Sequence, residues 1–372
     1  MTDDSRAPDS GVRYSPHRRI QSDGLRHVAR RTRERGVIGG YRAAEAALGR
    51  LSPRISAPVA RSLFLGGYYG WPQKRRIVLT NASHVLGLPE TDPAVARLAR
   101  RIYASYSQYA LDTMRLPSRP VDEPLTLMNS APERGMDSYM GLWQRTSAEG
   151  RGIIAVSGHI GSIEVFAAAS SLRGVPTYGL ADDTEYPELV ARLTEVREKR
   201  GIGVIPWRNL REVFRALRQP AVLGLLVDWG YRPSDIPVKF FGAWTTLPAG
   251  PATLASRTGA LILPVVNRRE DDGSYVASHA APIEIADSSP AEVLRTTQAI
   301  ADALEAMVRE GPEQWFTFKP MWPATVRESR TLEERAASMS AAPRRGPTSK
   351  HASVAPDPEE AASAGSEPGA AT

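Results

Sequence analysis

Apolar residues recur at helical spacing in three stretches of the first third of the chain, Ile38 to Leu51, Pro58 to Leu65 and Val95 to Leu116, with arginines on several intervening positions. A period near 3.6 residues marks helices that bury one side, so the first part of the fold is expected to be helical. Around Arg151 the period changes. Gly152 to Ser157 (GIIAVS) is a short β-rich run, and Ser162 to Leu172 returns to helical spacing, which predicts strand, loop and helix in succession. The alternation continues with strands at Val175 to Leu180, Gly203 to Pro206, Val222 to Asp228 and Leu261 to Val266, separated by helices over Leu189 to Arg200, Leu210 to Leu217 and Ala249 to Thr258. Strands spaced by helices of this length predict an α/β fold, a mainly parallel sheet flanked by helices. Ligands in such sheets sit beyond the C-terminal ends of the strands. Tyr275 to Ile285 is expected to add antiparallel edge strands, and Ala291 to Met307 a last amphipathic helix ahead of Trp315 to Trp322.

The two ends lack this patterning. Residues 1–21 mix Pro, Ser, Asp and Arg and are expected to be a flexible leader; residues 329–372 hold almost no large apolar side chain to offset the cost of ordering them and are expected to be a disordered tail. One domain, 22–328, remains, with a helical portion over 22–150 and an α/β portion over 151–328. Met1 to Val12 is polar and acidic where a secretory signal begins basic and turns apolar. Ser62 to Trp71 (SLFLGGYYGW) is too short and too glycine-rich to span a bilayer.

Composition narrows the chemistry. Of 372 residues 42% are hydrophobic and 24% charged, ordinary for a globular protein. Cysteine is absent, which removes disulfides, thiolate zinc sites and cysteine nucleophiles together. A net charge of +6 favours anionic partners, whether a phospholipid surface, a nucleic acid or a phosphorylated cofactor. The arginines are spread over several helices without a nucleic-acid reader motif, so no nucleic-acid partner is expected. Arg30 to Arg75, in contrast, combines basic residues with Ile38, Tyr41, Leu48, Leu51, Leu63, Phe64, Leu65, Tyr68, Tyr69 and Trp71, a composition suited to lying in a membrane interface.

The chemistry concentrates at two strand ends. Ser157-Gly158-His159-Ile160-Gly161-Ser162-Ile163-Glu164 sets a His-x4-Glu pattern across a strand-to-helix turn. Five helical steps rotate by about 140°, so His159 must sit in the turn and Glu164 in the first helical turn, reaching back. A carboxylate so placed fixes the imidazole tautomer and leaves the other ring nitrogen to take a proton from an alcohol. Backbone N–H groups around Gly161 and Ser162 are candidates to stabilise an oxyanion or a phosphate. Ser157 and Ser162 do not lie in G-x-S-x-G, against a serine hydrolase. The second block, Val227-Asp228-Trp229-Gly230-Tyr231-Arg232, offers Asp228 as a second carboxylate, with Arg232 and Lys239 as candidate phosphate holders and Phe240, Phe241 and Trp244 as candidate walls of an apolar channel.

With these blocks in order, followed by Leu247-Pro248-Ala249-Gly250-Pro251 and Gly259-Ala260-x-x-x-Pro264, and with Arg197-Glu198-x-x-Gly201 and Gln314-Trp315 ahead of Lys319-Pro320-x-Trp322 also matching, the chain resembles the lipid A biosynthesis acyltransferases over Ile38 to Pro323, more closely their phosphatidylinositol mannoside acyltransferase branch. The resemblance implies a glycerolipid-acyltransferase-like fold and transfer of a fatty acyl group from a thioester to a hydroxyl of a membrane glycolipid. It implies His159 as base, Glu164 as its partner and Asp228 as the acidic residue of the second block. Many members carry an Arg-Pro pair after the second strand, where this chain has Ala181-Asp182-Asp183-Thr184-Glu185-Tyr186-Pro187. The expected donor is acyl-CoA or acyl carrier protein, with Arg197, Arg232 or Lys239 on its phosphates; no metal and no resident cofactor is expected. The expected location is peripheral, on the cytoplasmic face of the cell membrane. The competing readings are an esterase or thioesterase using the same site, and a noncatalytic lipid-binding protein.

Overall fold

The computed structural model describes residues 36–342 apart from 37, 48–50, 129, 132–133 and 183–186. The expected leader over 1–21 lies outside the described residues, as do residues 183–186 of the Ala181 to Pro187 run.

Among the described residues four helices come first: α1 over 38–47, α2 Pro53–Gly70, α3 Pro72–Leu86 and α4 Pro93–Arg115. Prolines at the first turn start α2, α3 and α4, where the missing N–H is not needed. Asp92 caps α4 by accepting from the Ala94 N–H at 2.7 Å. Val95, Leu98, Ala99 and Ile102 of α4 bury against Tyr68 of α2, Val78 and Ala82 of α3, and Phe316 from near the end of the fold. The sequence pattern missed α3, whose run PQKRRIVLTNASHVL buries only Val78, Asn81 and Ala82 and so shows little apolar periodicity.

Short elements α5 (Glu123–Leu127), β1 (Ser130–Ala131) and β2 (Arg134–Gly135), then α6 (Met136–Ala148), lead to the sheet. Its strands are β3 (Ile153–Ser157), β4 (Thr177–Ala181), β5 (Ile202–Pro206), β6 (Val222–Leu226), β9 (Leu261–Arg269) and β10 (Tyr275–His279), in the spatial order β10-β9-β3-β6-β4-β5. All neighbours are parallel except β10, which runs antiparallel to β9 as expected for an edge. Helices α7 (Ile163–Leu172), α8 (Pro187–Glu198), α9 (Leu210–Leu217), α10 (Gly250–Thr258) and α11 (Pro290–Glu310) alternate with the strands. The expected α/β architecture with a helical N-terminal portion is the one observed. All five residues of β3 are buried, which explains its unbroken apolar run in the sequence.

Two features depart from the expected pattern. Between β6 and β9 the chain forms an antiparallel hairpin, β7 (Ile236–Phe240) and β8 (Ala243–Leu247), turning on Phe241 and Gly242, both at positive φ (50° and 74°). This is the two-residue turn that matches strand twist, although it normally takes Asn-Gly; here packing of Phe241 on Trp315 and an N–H bond to the Glu305 carboxylate hold it. The second departure is α12 (Val326–Ala341), a helix across most of the first part of the expected disordered tail. Thr325 and Glu328 close a reciprocal capping box, and Leu332 and Ala336 bury against α11 and the β7–β8 hairpin. Residues 343–372 lie outside the described residues. Truncating Leu332 to alanine is accordingly expected to cost about 2–5 kcal/mol, the range for a fully buried leucine, read as a lower urea midpoint at unchanged slope; an unchanged midpoint would show that α12 docks without stabilising the fold.

Candidate active site

Strands β3 and β6 are parallel neighbours, with Ser157 opposite Leu226. Two residues beyond each strand end stand His159 and Asp228, so the sheet itself brings them together. His159 Nδ1 lies 2.7 Å from Asp228 Oδ1, and the His159 main-chain N–H donates to Asp228 Oδ2 at 2.7 Å. Trp315 Nε1–H donates to the same Oδ2 at 2.9 Å. Gly158 permits this approach: a Cβ there would lie 2.9 Å from Asp228 Oδ2.

Burial by itself disfavours the charged Asp228 carboxylate. The His159 charge, the two bonds from His159 and the Trp315 N–H outweigh it and hold the carboxyl below its usual range. For His159 burial opposes the imidazolium, but the charge and hydrogen bond of Asp228 prevail and raise its pKa, with Lys319 pulling the other way. With Asp228 ionised, Nδ1 carries the proton and Nε2 keeps its lone pair. Nε2 has no protein partner among the described residues, and the side chain is 33% exposed. The ring of Trp229 stands edge-to-face with the imidazole, centroids 5.3 Å apart. An imidazole one-third exposed, fixed at one nitrogen and open at the other, has the geometry that general-base chemistry needs.

The partner of His159 differs from the one expected. Glu164, in the first turn of α7, does not reach back to His159; it binds Arg197 of α8, with Nε 3.0 Å from Oε2 and Nη2 on Oε1. The reason lies in the turn. Gly161, at φ 59°, sends the chain into α7, and the ring of His159 is already held by Asp228 from the adjacent strand. Glu164 is buried, which disfavours its charge, but Arg197 more than offsets this and keeps its pKa low. Arg197 is thus an ion-pair partner rather than a group waiting for a phosphate.

The expected oxyanion donors are also engaged. The Gly161 N–H donates to Gln314 O at 2.9 Å and the Ser162 N–H to Asn267 O at 2.8 Å, while Asn267 Nδ2 returns to Ser162 O at 2.8 Å. A Cβ at Gly161 would meet Asn267 O at 1.9 Å, so only glycine fits. Ser162 caps α7 through its hydroxyl on the Val165 N–H. Asn267, Gln314 and Trp315 therefore clamp the turn from both sides. The sequence reading gave none of them a role, although Gln314-Trp315 stood among the ordered blocks.

The remaining candidates fall elsewhere. Arg232 joins the hairpin by its main chain, N–H to Thr246 Oγ1 at 3.1 Å. Lys239 is the exposed residue of the otherwise largely buried β7, with its ammonium over Trp244 at 5.3 Å. Phe240 and Phe241 do not wall a channel: both are buried against Trp315 and Trp322, where they support the ring that holds Asp228. On the other side of the turn, Arg61, Gln108, Tyr109, Gly161, Ser162, Tyr275 and Gln314 line a cavity of about 330 Å³.

Residues 57–323 match the family of bacterial lipid A biosynthesis acyltransferases. The phosphatidylinositol mannoside acyltransferase of Mycolicibacterium smegmatis is 29% identical over 269 residues, covering 70% of this chain and 83% of that protein. Its counterpart in Mycobacterium tuberculosis (strain CDC 1551) is 26% identical over 278 residues, 72% of this chain and 82% of that protein. With the matched span taking in the whole sheet and both halves of the His159–Asp228 pair, the chain belongs to the bacterial lipid A biosynthesis acyltransferases, enzymes that transfer acyl groups.

Proposed function

We propose that the protein transfers a fatty acyl group from a thioester, acyl-CoA or acyl carrier protein, to a hydroxyl of a membrane glycolipid such as a phosphatidylinositol mannoside, at the cytoplasmic face of the cell membrane. One observation carries the mechanism: Asp228 grips His159 at Nδ1 and leaves Nε2 free. His159 Nε2 takes the acceptor's hydroxyl proton as its oxygen forms a bond to the thioester carbonyl carbon. The tetrahedral oxyanion then collapses, the C–S bond breaks, and the imidazolium returns the proton to the leaving thiolate. The names of the relatives favour a mannosylated inositol lipid as acceptor.

Attachment to a membrane surface is supported by α2. Ile55, Val59 and Leu63 recur every four residues on its exposed side, Leu63 at 70% exposure, continued by Tyr69 and Trp71. Arg54 and Arg61 accompany them. Among the described residues no helix is long and apolar enough to cross a bilayer, whereas this stripe with its arginines suits an anionic interface. Ile38 of α1 and Tyr68 of α2, also in the Arg30 to Arg75 stretch, are buried and belong to the fold instead.

Incubation with an acyl thioester and vesicles holding a glycolipid extract tests both parts. Acyl groups are expected on the glycolipid, with sedimentation on vesicles that increases with anionic lipid and weakens with salt. Free fatty acid as the sole product would identify a hydrolase, and equal binding to neutral vesicles would remove the electrostatic part.

A further inference from the structure

We propose that Lys319 is a further catalytic residue, whose ammonium stabilises the oxyanion formed on the thioester carbonyl; the proposal rests on His159 acting as the base. An acyl transfer needs a donor or cation aimed at that oxygen. The four consecutive N–H groups of the turn cannot supply one. His159 N–H is bonded to Asp228, Ile160 N–H to Gly158 O at 2.8 Å, and those of Gly161 and Ser162 to Gln314 O and Asn267 O.

Lys319 stands where a cation is needed. Its Nζ lies 4.9 Å from the centroid of Trp229, the same ring that stands against the His159 imidazole. Trp229 is fixed by its Nε1–H on Leu226 O at 2.7 Å, and the Tyr231 N–H on Pro320 O at 2.8 Å ties the loop after β6 to the Lys319-Pro320 segment. Lys319 has no acidic partner among the described residues. Its field reaches His159, where it opposes protonation. In the resting site the ammonium therefore helps keep Nε2 unprotonated and ready to act as base. Once the proton has moved, the oxyanion faces two cations, the ammonium and an imidazolium whose other side is held by Asp228, and attraction to the oxyanion offsets the former repulsion. The stabilisation thus appears in the transition state and not in the ground state, which is the condition for a gain in rate. The balance of the step is unchanged, with C–O formed, C–S broken, and the proton carried by Nε2 to the thiolate.

The test compares Lys319→Met and Lys319→Arg in single-turnover transfer from two donors, acyl-CoA and an acyl thioester of N-acetylcysteamine, which carries no phosphate. Lys319→Met is expected to slow the transfer step by roughly 10²–10³ with both donors, as loss of one oxyanion donor does, with donor KM changed little. Lys319→Arg should recover part of the rate. The His159 titration followed by NMR should move to higher pH in Lys319→Met, at an unchanged Tm. Loss confined to KM for acyl-CoA would make Lys319 a phosphate anchor and overturn the proposal, as would a parental rate in Lys319→Met. A parental rate in His159→Ala would instead overturn the underlying base assignment, so the two failures are distinguishable.

Discussion

Replacing His159 by alanine is expected to lower acyl transfer by roughly 10²–10⁴ at unchanged Tm, the usual contribution of a positioned general base. Asp228→Asn is expected to be comparably damaging, with a loss of up to about 10⁴ by analogy with the orienting acid of other His-Asp pairs, for a reason the geometry supplies. Oδ2 receives two donors, the His159 N–H and Trp315 Nε1–H, so an asparagine there turns its oxygen toward them. Its NH2 then faces His159 Nδ1, forces that nitrogen to accept, and leaves the proton on Nε2, where the base needs a lone pair. The pH profile separates this from a folding defect. His159 must be neutral to act, so kcat/KM rises with pH through its pKa, which Asp228 holds above the ordinary value near 6.5. Removing the carboxylate charge moves that limb to lower pH while lowering the plateau. A folded His159→Ala protein that acylates glycolipid at the parental rate would overturn the mechanism, and an unmoved limb in Asp228→Asn would remove Asp228 from it.

Most of the sheet could be read from the chain because each strand is a short apolar run bounded by a helix of ordinary length, and β3 and β6 matched within one or two residues. The site was half legible for the same reason. His159 and Asp228 each follow a strand, but only the strand order β3-β6 makes them neighbours, and order is set by sheet packing rather than by spacing. Local proximity therefore favoured Glu164 over Asp228, the carboxylate bonded to His159 in the structure. Phe241-Gly242 hid the hairpin, since a bulky residue at positive φ is tolerated only by tertiary packing on Trp315. In α12 the buried stripe is carried by Leu332 and Ala336, too small a signal for periodicity, although Thr325-x-x-Glu328 was a readable helix start.

Removing the charge of Glu164 is expected to act mainly through the fold. Arg197 binds Glu164 through two nitrogens, with side chains 25% and 17% exposed, so breaking the pair leaves a charge in a poorly hydrated place. Glu164→Gln should cost about 3–5 kcal/mol, the range for one member of a buried ion pair. Burial raises the Glu164 pKa, but Arg197 more than reverses this, so its folded pKa lies below its unfolded value. The pair's contribution is then complete above the ordinary glutamate pKa near 4.3, and is lost as pH falls through the folded value. Melting of the parent between about pH 6 and pH 3 should fall more steeply than that of Glu164→Gln, which lacks this proton uptake. The double variant Glu164→Leu with Arg197→Met should regain much of the stability, because it leaves neither charge uncompensated. Below the melting transition Glu164→Gln should keep the His159 pH limb in place, since the carboxylate touches Arg197 and not the imidazole. A Glu164→Gln protein that melts like the parent yet loses transfer with a displaced limb would return Glu164 to the catalytic pair and overturn its assignment to the ion pair with Arg197.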